Sequence, residues 1–142
     1  MRIAISSDTG KGVATAISKI VAEMGHEVIE YGAIRDGQVA DWVDISAEAA
    51  RDVAEGRADQ AIVCCFTGTG ATIAANKIPG IRAALCVDAF TAAGARRWNN
   101  ANVLGISLRL TTEQVLIEIL TAWFSTEDDG SQRGSLKILN KL

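Results

Sequence analysis

The stretch Gln60-Ala61-Ile62-Val63-Cys64-Cys65 runs into Phe66-Thr67-Gly68-Thr69-Gly70 and then into Ala71-Thr72-Ile73-Ala74-Ala75-Asn76. A short, almost unbroken apolar run reads as a strand buried on both faces. The two glycines make a tight turn, and the small residues after them form a short helix. Strand, glycine turn and helix are one step of a β-α ladder. The same step recurs on both sides. Arg2–Ser6 is a strand that stops at Ser7-Asp8-Thr9-Gly10. Val13, Ile17, Ile20, Val21 and Met24 follow at helical spacing, with Gly25 placed to end that helix. Glu27–Tyr31 is a second strand, and Gly32–Ala40 is a polar loop. Asp44 or Ser46 caps a helix reaching about Glu55, closed by Gly56. Arg82–Cys86 is the fourth strand, and Asp88 caps a helix to about Trp98. Asn102–Ile106 is the fifth strand, and Thr111 with Gln114 forms a capping box for an apolar helix through Phe124. Glu127-Asp128-Asp129-Gly130 breaks that helix. A last helix carries Leu136, Leu139 and Leu142 on one face.

Five strand–helix steps imply an α/β fold: a parallel sheet with helices on both faces and an extra C-terminal helix. A length of 142 residues fits a single domain spanning 1–142. Hydrophobic residues at 49% and charged residues at 22% place the chain among folded globular domains. No apolar run reaches the roughly 18–20 residues of a membrane helix, and the first strand is no signal peptide. A net charge of −3 argues against a nucleic-acid or anionic-membrane footprint. Three Cys and one His cannot furnish a zinc set. Cysteines without paired spacing or an export signal point to a reducing compartment, the cytoplasm. The last helix has few apolar residues of its own, which suits packing on a neighbouring subunit.

In open parallel sheets, ligands bind beyond the carboxyl ends of the strands. Polar residues gather there: Ser7-Asp8-Thr9 after the first strand, Thr67 to Gly70 after the third, Asp88 after the fourth. At the third, Gly68 and Gly70 let backbone N–H groups face a ligand, and a helix starts immediately. Free N–H groups and a positive helix end make an anion or oxyanion site. Cys65 stands at its mouth, where the same field favours a thiolate base or nucleophile. The residues alone fit equally a buried strand cysteine beside a tight turn. A P-loop is excluded because Gly70 is followed by Ala71-Thr72, and a dinucleotide fingerprint because Thr15 stands where its third glycine belongs.

Other residues have two readings as well. Asp8 is a site carboxylate or the cap of the first helix. Asp41 and Asp44 around Trp42 read best as a cap and a solvated loop. Cys64 points to the face opposite Cys65, and Cys86 belongs to an apolar strand. His26, far from the strand carboxyl ends, is structural. Arg96 and Arg97 read as helix decoration. Arg133 and Lys137, four apart, either grip one anion or form a solvated face.

Several ordered motifs together resemble the ribose-5-phosphate isomerase B / galactose-6-phosphate isomerase family over nearly the whole chain. They are Met1-Arg2-Ile3-Ala4-Ile5-Ser6-Ser7-Asp8, Gly25-His26-Glu27-Val28, Cys65 to Gly70, Ile73-Ala74-Ala75-Asn76-Lys77, Gly80 to Cys86 and Asn99-Asn100-Ala101-Asn102-Val103-Leu104. The resemblance implies a Rossmann-like three-layer sandwich and a homodimer or homotetramer with active sites between subunits. It implies an aldose–ketose isomerase of a sugar phosphate, working through a cis-enediol(ate) with no metal or organic cofactor. Cys65 matches the family's catalytic Cys, and Thr67 a Thr linked to ring opening. The loop of Phe66, Thr67, Gly68, Thr69 and Gly70 matches the anion hole. Asp8 and Asn99 match sugar-contacting positions, and Arg109 a phosphate-binding Arg. With one inserted residue, Arg133 and Lys137 match a family Arg pair.

Four positions depart from that pattern. Thr9 and Trp98 stand where the family has histidines, Trp42 where it has Tyr, and Phe66 where it has Gly. Imidazole suits the proton shuttle that opens a furanose. Its loss points to a pentose or tetrose phosphate that is already open-chain or opens unaided, such as a tetrulose phosphate, in a pocket reshaped by Trp98 and Phe66. The alternative is a non-catalytic sugar-phosphate binding protein or an inactive partner subunit.

Overall fold

The computed structural model describes all 142 residues. Five parallel strands form one sheet in the order β2-β1-β3-β5-β4: β1 Arg2–Ser7, β2 Glu27–Gly32, β3 Gln60–Cys65, β4 Ala83–Leu85 and β5 Val103–Ser107. The helices are α1 Ile17–Glu23, α2 Ala33–Asp36, α3 Trp42–Ala54, α4 Thr69–Asn76, α5 Ala89–Asn99, α6 Glu113–Phe124 and α7 Arg133–Leu139. The parallel, doubly covered sheet expected from the β-α alternation is the observed architecture.

Two apolar layers flank the sheet. One joins Ile17, Ile20 and Val21 of α1, Ala92 and Ala95 of α5, and Leu116, Ile119, Leu120 and Trp123 of α6. Trp123 is fully buried, and its indole N–H donates to Gln60 Oε1 at 2.7 Å. That bond satisfies the one polar atom this large side chain brings inside. The second layer is built largely of alanine, with Ala49 and Ala50 of α3 against Ala71 and Ala75 of α4. Small side chains let α3 and α4 lie close to the sheet, which brings the start of α4 against the end of β3.

Several boundaries differ from the sequence reading. The first helical segment splits into a 3-10 turn at Gly12–Thr15 and then α1, with Ala16 at φ −115° breaking the spiral. The loop after β2 contains the single-turn α2. The cap of α3 is Asp41, whose carboxylate accepts from Val43 N–H at 2.8 Å, and neither Asp44 nor Ser46. The helix thus starts earlier, with Trp42 as its first residue. The cap of α6 is Thr112 rather than Thr111, accepting from Val115 N–H. Asp88 caps α5 as expected. β4 is shorter than predicted, so Cys86 lies just past it, still fully buried. Arg96 is no surface decoration: its guanidinium donates to the Ala101 and Thr126 carbonyls and lies 5.5 Å from the Trp123 ring. Leu142 lies beyond α7, and α7 buries no residue.

Candidate active site at the carboxyl end of the sheet

Strand register assembles the site. Ser7 pairs with Cys64, so Asp8 emerges beside Cys65. Cys65 pairs in turn with Ser107 on β5. Adjacent strands lie about 4.8 Å apart, so the residues that follow β1, β3 and β5 share one small basin. Cys64 joins the α1/α5/α6 layer and Cys65 the α3/α4 layer, as alternation requires. Burial pushes the Cys64 thiol well above its ordinary value, and the neighbouring Cys65 and Asp8 add to that. Burial also pushes Cys86 up to about 12. Both are inert core thiols.

The loop after Cys65 is pinned from two sides. Cys65 carbonyl accepts from Gly68 N–H at 3.2 Å and Leu108 N–H at 3.1 Å. Phe66 carbonyl accepts from Arg109 N–H at 2.9 Å and from Ser107 Oγ at 3.2 Å. Gly68 has φ +75°, and a Cβ there would sit 2.6 Å from Leu85 Cδ1 and 2.8 Å from the Ile106 backbone. Only glycine fits on both counts. The first helical bonds of α4 run from Thr72 N–H and Thr72 Oγ1 to Gly68 carbonyl. The N–H groups of Thr69, Gly70 and Ala71 precede that bond and have no intrahelical partner. Thr67 and Thr69 hydroxyls lie 2.7 Å apart. The result is a rigid cradle of N–H donors at a helix N-terminus, with Cys65 at its rim. Such a cradle stabilises negative charge that develops on a bound oxygen.

Asp8 is not a helix cap. Its Oδ1 is buried without a hydrogen-bond partner. Burial raises its pKa, and the N–H groups of Asp8 and Thr9 offset this in part. Its own carbonyl accepts from Ala40 N–H at 3.1 Å, which ties the segment before α3 to the end of β1. The indole of Trp42 then lies on the loop. A Cβ on Gly70 would sit 3.0–3.2 Å from three atoms of its six-membered ring. The sequence reading left Trp42 outside the candidate site. The signal was the Asp41 cap, which sets where α3 begins and so where Trp42 is held.

The remaining candidates lie elsewhere in the same chain. α5 runs back from the carboxyl end; the Trp98 indole turns back along it, over Gly94 and to within 6.1 Å of the Phe90 ring, while Asn99 finishes at the amino end of the sheet. Asn100 there takes the left-handed conformation, φ 45°, and its carbonyl accepts from Arg82 Nε at 2.8 Å. A strand of this length puts Asn99 on the order of 15–20 Å from Cys65. α7 packs beside the end of α5, leaving a cavity of about 540 Å³ lined by Trp98, Asn99, Ser135, Leu136 and Leu139. Arg133 and Lys137 are exposed on α7. Arg109 is exposed at the Cys65 end. The candidates therefore fall into two groups at opposite ends of the chain: Cys65, Asp8, the 66–70 loop and Arg109 at one, and Asn99 with the α7 residues Arg133 and Lys137 at the other. His26 belongs to neither: it contacts the chain amino group at 3.4 Å, with its ring 4.2 Å from that of Phe124. No three His, Cys, Asp or Glu side chains converge as metal ligands.

The family model for ribose/galactose isomerases matches residues 3–141. The D-erythrulose-4-phosphate isomerase of Pectobacterium atrosepticum is 32% identical over 100% of this chain and 93% of its own. The ribose-5-phosphate isomerase B of Escherichia coli is 34% identical over 79% of this chain and 74% of its own. Among solved structures, the ribose-5-phosphate isomerase B of Clostridium thermocellum superposes with a TM-score of 0.93 at 33% identity, covering 99% and 96% of the two chains. The type B ribose 5-phosphate isomerase of Trypanosoma brucei gives 0.91 at 38% identity, covering 99% and 97%. With its fold and nearly its whole length matched in this way, the chain belongs to the ribose/galactose isomerase family of sugar-phosphate isomerases.

Proposed function

We propose that this enzyme interconverts an aldose and a ketose phosphate through a cis-enediolate, with Cys65 as the base. The observation that carries this is Cys65 at the rim of the N–H cradle formed by the 66–70 loop. A thiolate removes the proton from the carbon beside the carbonyl. The carbonyl oxygen gathers the charge and is met by fixed N–H groups, a preorganised arrangement expected to contribute several kcal/mol. The proton of the adjacent hydroxyl passes to the former carbonyl oxygen, the thiol returns its proton to the former carbonyl carbon, and the new carbonyl of the isomeric sugar forms where that hydroxyl stood. No metal or organic cofactor is needed in this reading. In this reading Thr67 contacts the sugar oxygens, and Asp8 offers its unpartnered oxygen to a hydroxyl.

A complete site takes two copies of the chain in a homodimer or homotetramer. The cradle half of one copy faces Asn99, Arg133 and Lys137 of another, and those two cations with Arg109 hold the phosphate. The separation of the half-sites within one chain supports this. So do the exposed side chains of Phe66, Val87, Phe90 and Leu110, all placed after strand carboxyl ends. The substrate we favour is a tetrulose phosphate phosphorylated on its terminal hydroxyl, which cannot close a five-membered ring. Both positions where the family resemblance expects a ring-opening histidine are occupied otherwise, by Thr9 and Trp98. A relative matched along this whole chain is named for such a sugar. All three cysteines are free and buried, which supports a reducing compartment, the cytoplasm.

Proton exchange tests the reading. The enzyme is incubated in D₂O with tetrose, pentose and hexose phosphates, and deuterium at the carbon beside the carbonyl is followed by NMR. Exchange should be fastest with erythrulose 4-phosphate, and Cys65→Ser should slow it by about 10²–10⁴-fold. Much faster turnover of ribose 5-phosphate than of any tetrose phosphate overturns the substrate assignment. Binding without exchange on any sugar overturns the catalytic one.

A further inference from the structure

We propose that Trp42 is a specificity-determining residue that selects substrate chain length, an inference that rests on the reading of the 66–70 loop as the enediolate site. Three boundaries of the basin are fixed by backbone bonds. The Leu108 and Arg109 N–H groups hold Cys65 and Phe66, and Ala40 N–H holds the carbonyl of Asp8. None of these can move to admit a larger sugar without breaking a hydrogen bond. The boundary beside Gly70 is different, because it is a side chain. The six-membered ring of Trp42 rests where a Cβ of residue 70 would be. The loop and the indole are thus fitted to each other: glycine at position 70 is what leaves the ring its place.

Trp42 is held there by the two residues before it. Asp41 caps α3 immediately before it, and Ala40 is bonded to Asp8 just before that. The residue is nonetheless 40% exposed, so much of the ring faces outward rather than into the α3/α4 layer. Its indole N–H makes no hydrogen bond within the chain. A large, flat, anchored side chain beside the oxyanion cradle fills space that a longer carbon skeleton needs. One extra carbon in a closed pocket is discriminated by roughly 10–200-fold. Truncating the indole should therefore admit the longer sugar at the expense of the shorter.

The test compares kcat/KM for erythrulose 4-phosphate and ribose 5-phosphate on each of three proteins: wild type, Trp42→Phe and Trp42→Ala. A ratio of two substrates on one preparation cancels any loss of folded enzyme, so a merely structural role of Trp42 leaves it unchanged. The expected result is a ratio shifted toward the pentose by about tenfold or more in Trp42→Ala, with Trp42→Phe between the two. Should Trp42→Ala not fold, the Phe variant alone decides, with a shift of about threefold or more expected. An unchanged ratio in an active variant overturns the role of Trp42 and leaves the catalytic reading standing. Wild-type enzyme inactive on both sugars overturns the selector role, and lack of exchange on the hexose phosphates as well overturns the catalytic reading with it.

Discussion

Asp8 shows how a site residue is set by its surroundings rather than by its type. A carboxylate with one oxygen buried and unpartnered is unfavourable when charged. Burial accordingly raises its pKa above the ordinary 3.8, and two backbone N–H groups pull it partly back. The folded protein therefore binds this proton more tightly than the unfolded chain does. Stability from this group is complete below the unfolded pKa and is lost as pH rises through the folded one. Asp8→Asn keeps the shape and removes the charge. The variant should melt at a higher temperature than wild type at neutral pH and at about the same temperature near pH 3. Its kcat/KM should fall by about 10–100-fold, the usual worth of a hydrogen bond to a charged group. Thermal melts across pH, together with exchange kinetics, check both halves. A variant no more stable at neutral pH contradicts the unpartnered carboxylate, whatever happens to activity. Gly68 is the opposite case, a residue whose only contribution is the lack of a side chain, and it was legible in the sequence because a turn into a helix at this point requires it.

Among the elements, α3 carries the most that pattern reading missed. Its apolar face was evident, but its start was not, because Asp41, Asp44 and Ser46 are all competent caps. The choice of Asp41 places Trp42 on the glycine loop, a consequence of tertiary packing that local spacing does not encode. The far end of α3 holds a second feature of this kind. Asp52 is buried there, accepting from Arg57 Nε at 2.7 Å and from the hydroxyl of Tyr31 on β2. Arg57 also pairs with Glu55 at the surface. Burial and the Asp52 carboxylate push the Tyr31 phenol up to about 12. This network clamps α3 to β2, an edge strand of the sheet. The raised phenol pKa makes its sign clear: the folded state keeps the proton that the unfolded chain loses, so stability falls as pH rises from the ordinary 10.0 toward 12. Tyr31→Phe should cost about 2 kcal/mol at neutral pH by leaving Asp52 short of a donor. It should also flatten the stability profile over that alkaline range. Denaturant melts at neutral and alkaline pH decide this, and the chain's single tyrosine makes the phenol titration directly visible by ultraviolet absorbance. An equally steep alkaline loss in Tyr31→Phe removes the clamp from the account.

At the scale of the molecule, the β-α alternation was legible because each strand is a short apolar run and each helix has its own stripe and stop signal. The candidate residues were legible only as a set, because topology assigns them to opposite ends of the sheet. Cys65 follows a strand, whereas Asn99 ends a helix that runs back beside it, and no spacing along the chain brings the two together. α7 completes the picture: it buries nothing in its own chain, its Ser135, Leu136 and Leu139 line a cavity with Asn99, and it carries the exposed Arg133 and Lys137. The two-chain site proposed above accounts for this separation, and a mixing experiment tests it. Cys65→Ser and Arg133→Ala should each be nearly inactive as homo-oligomers, one lacking the proposed base and the other a proposed phosphate-binding cation. If every site draws on both chains, a mixed dimer holds one site with both defects and one with neither. Co-folding the two inactive variants in equal amounts should restore about a quarter of wild-type activity, since half the dimers are mixed and each has one intact site of two. Sites contained within single chains would restore none, because every site would then keep its own lesion. A tetramer built from such dimers gives the same fraction when the dimers form at random, so the outcome reports where the site lies rather than how many chains assemble. Native mass spectrometry of the same samples, which separates the two variants by mass, confirms that mixed species formed, and recovery near a quarter with a KM close to wild type places Arg133 across the subunit boundary from Cys65.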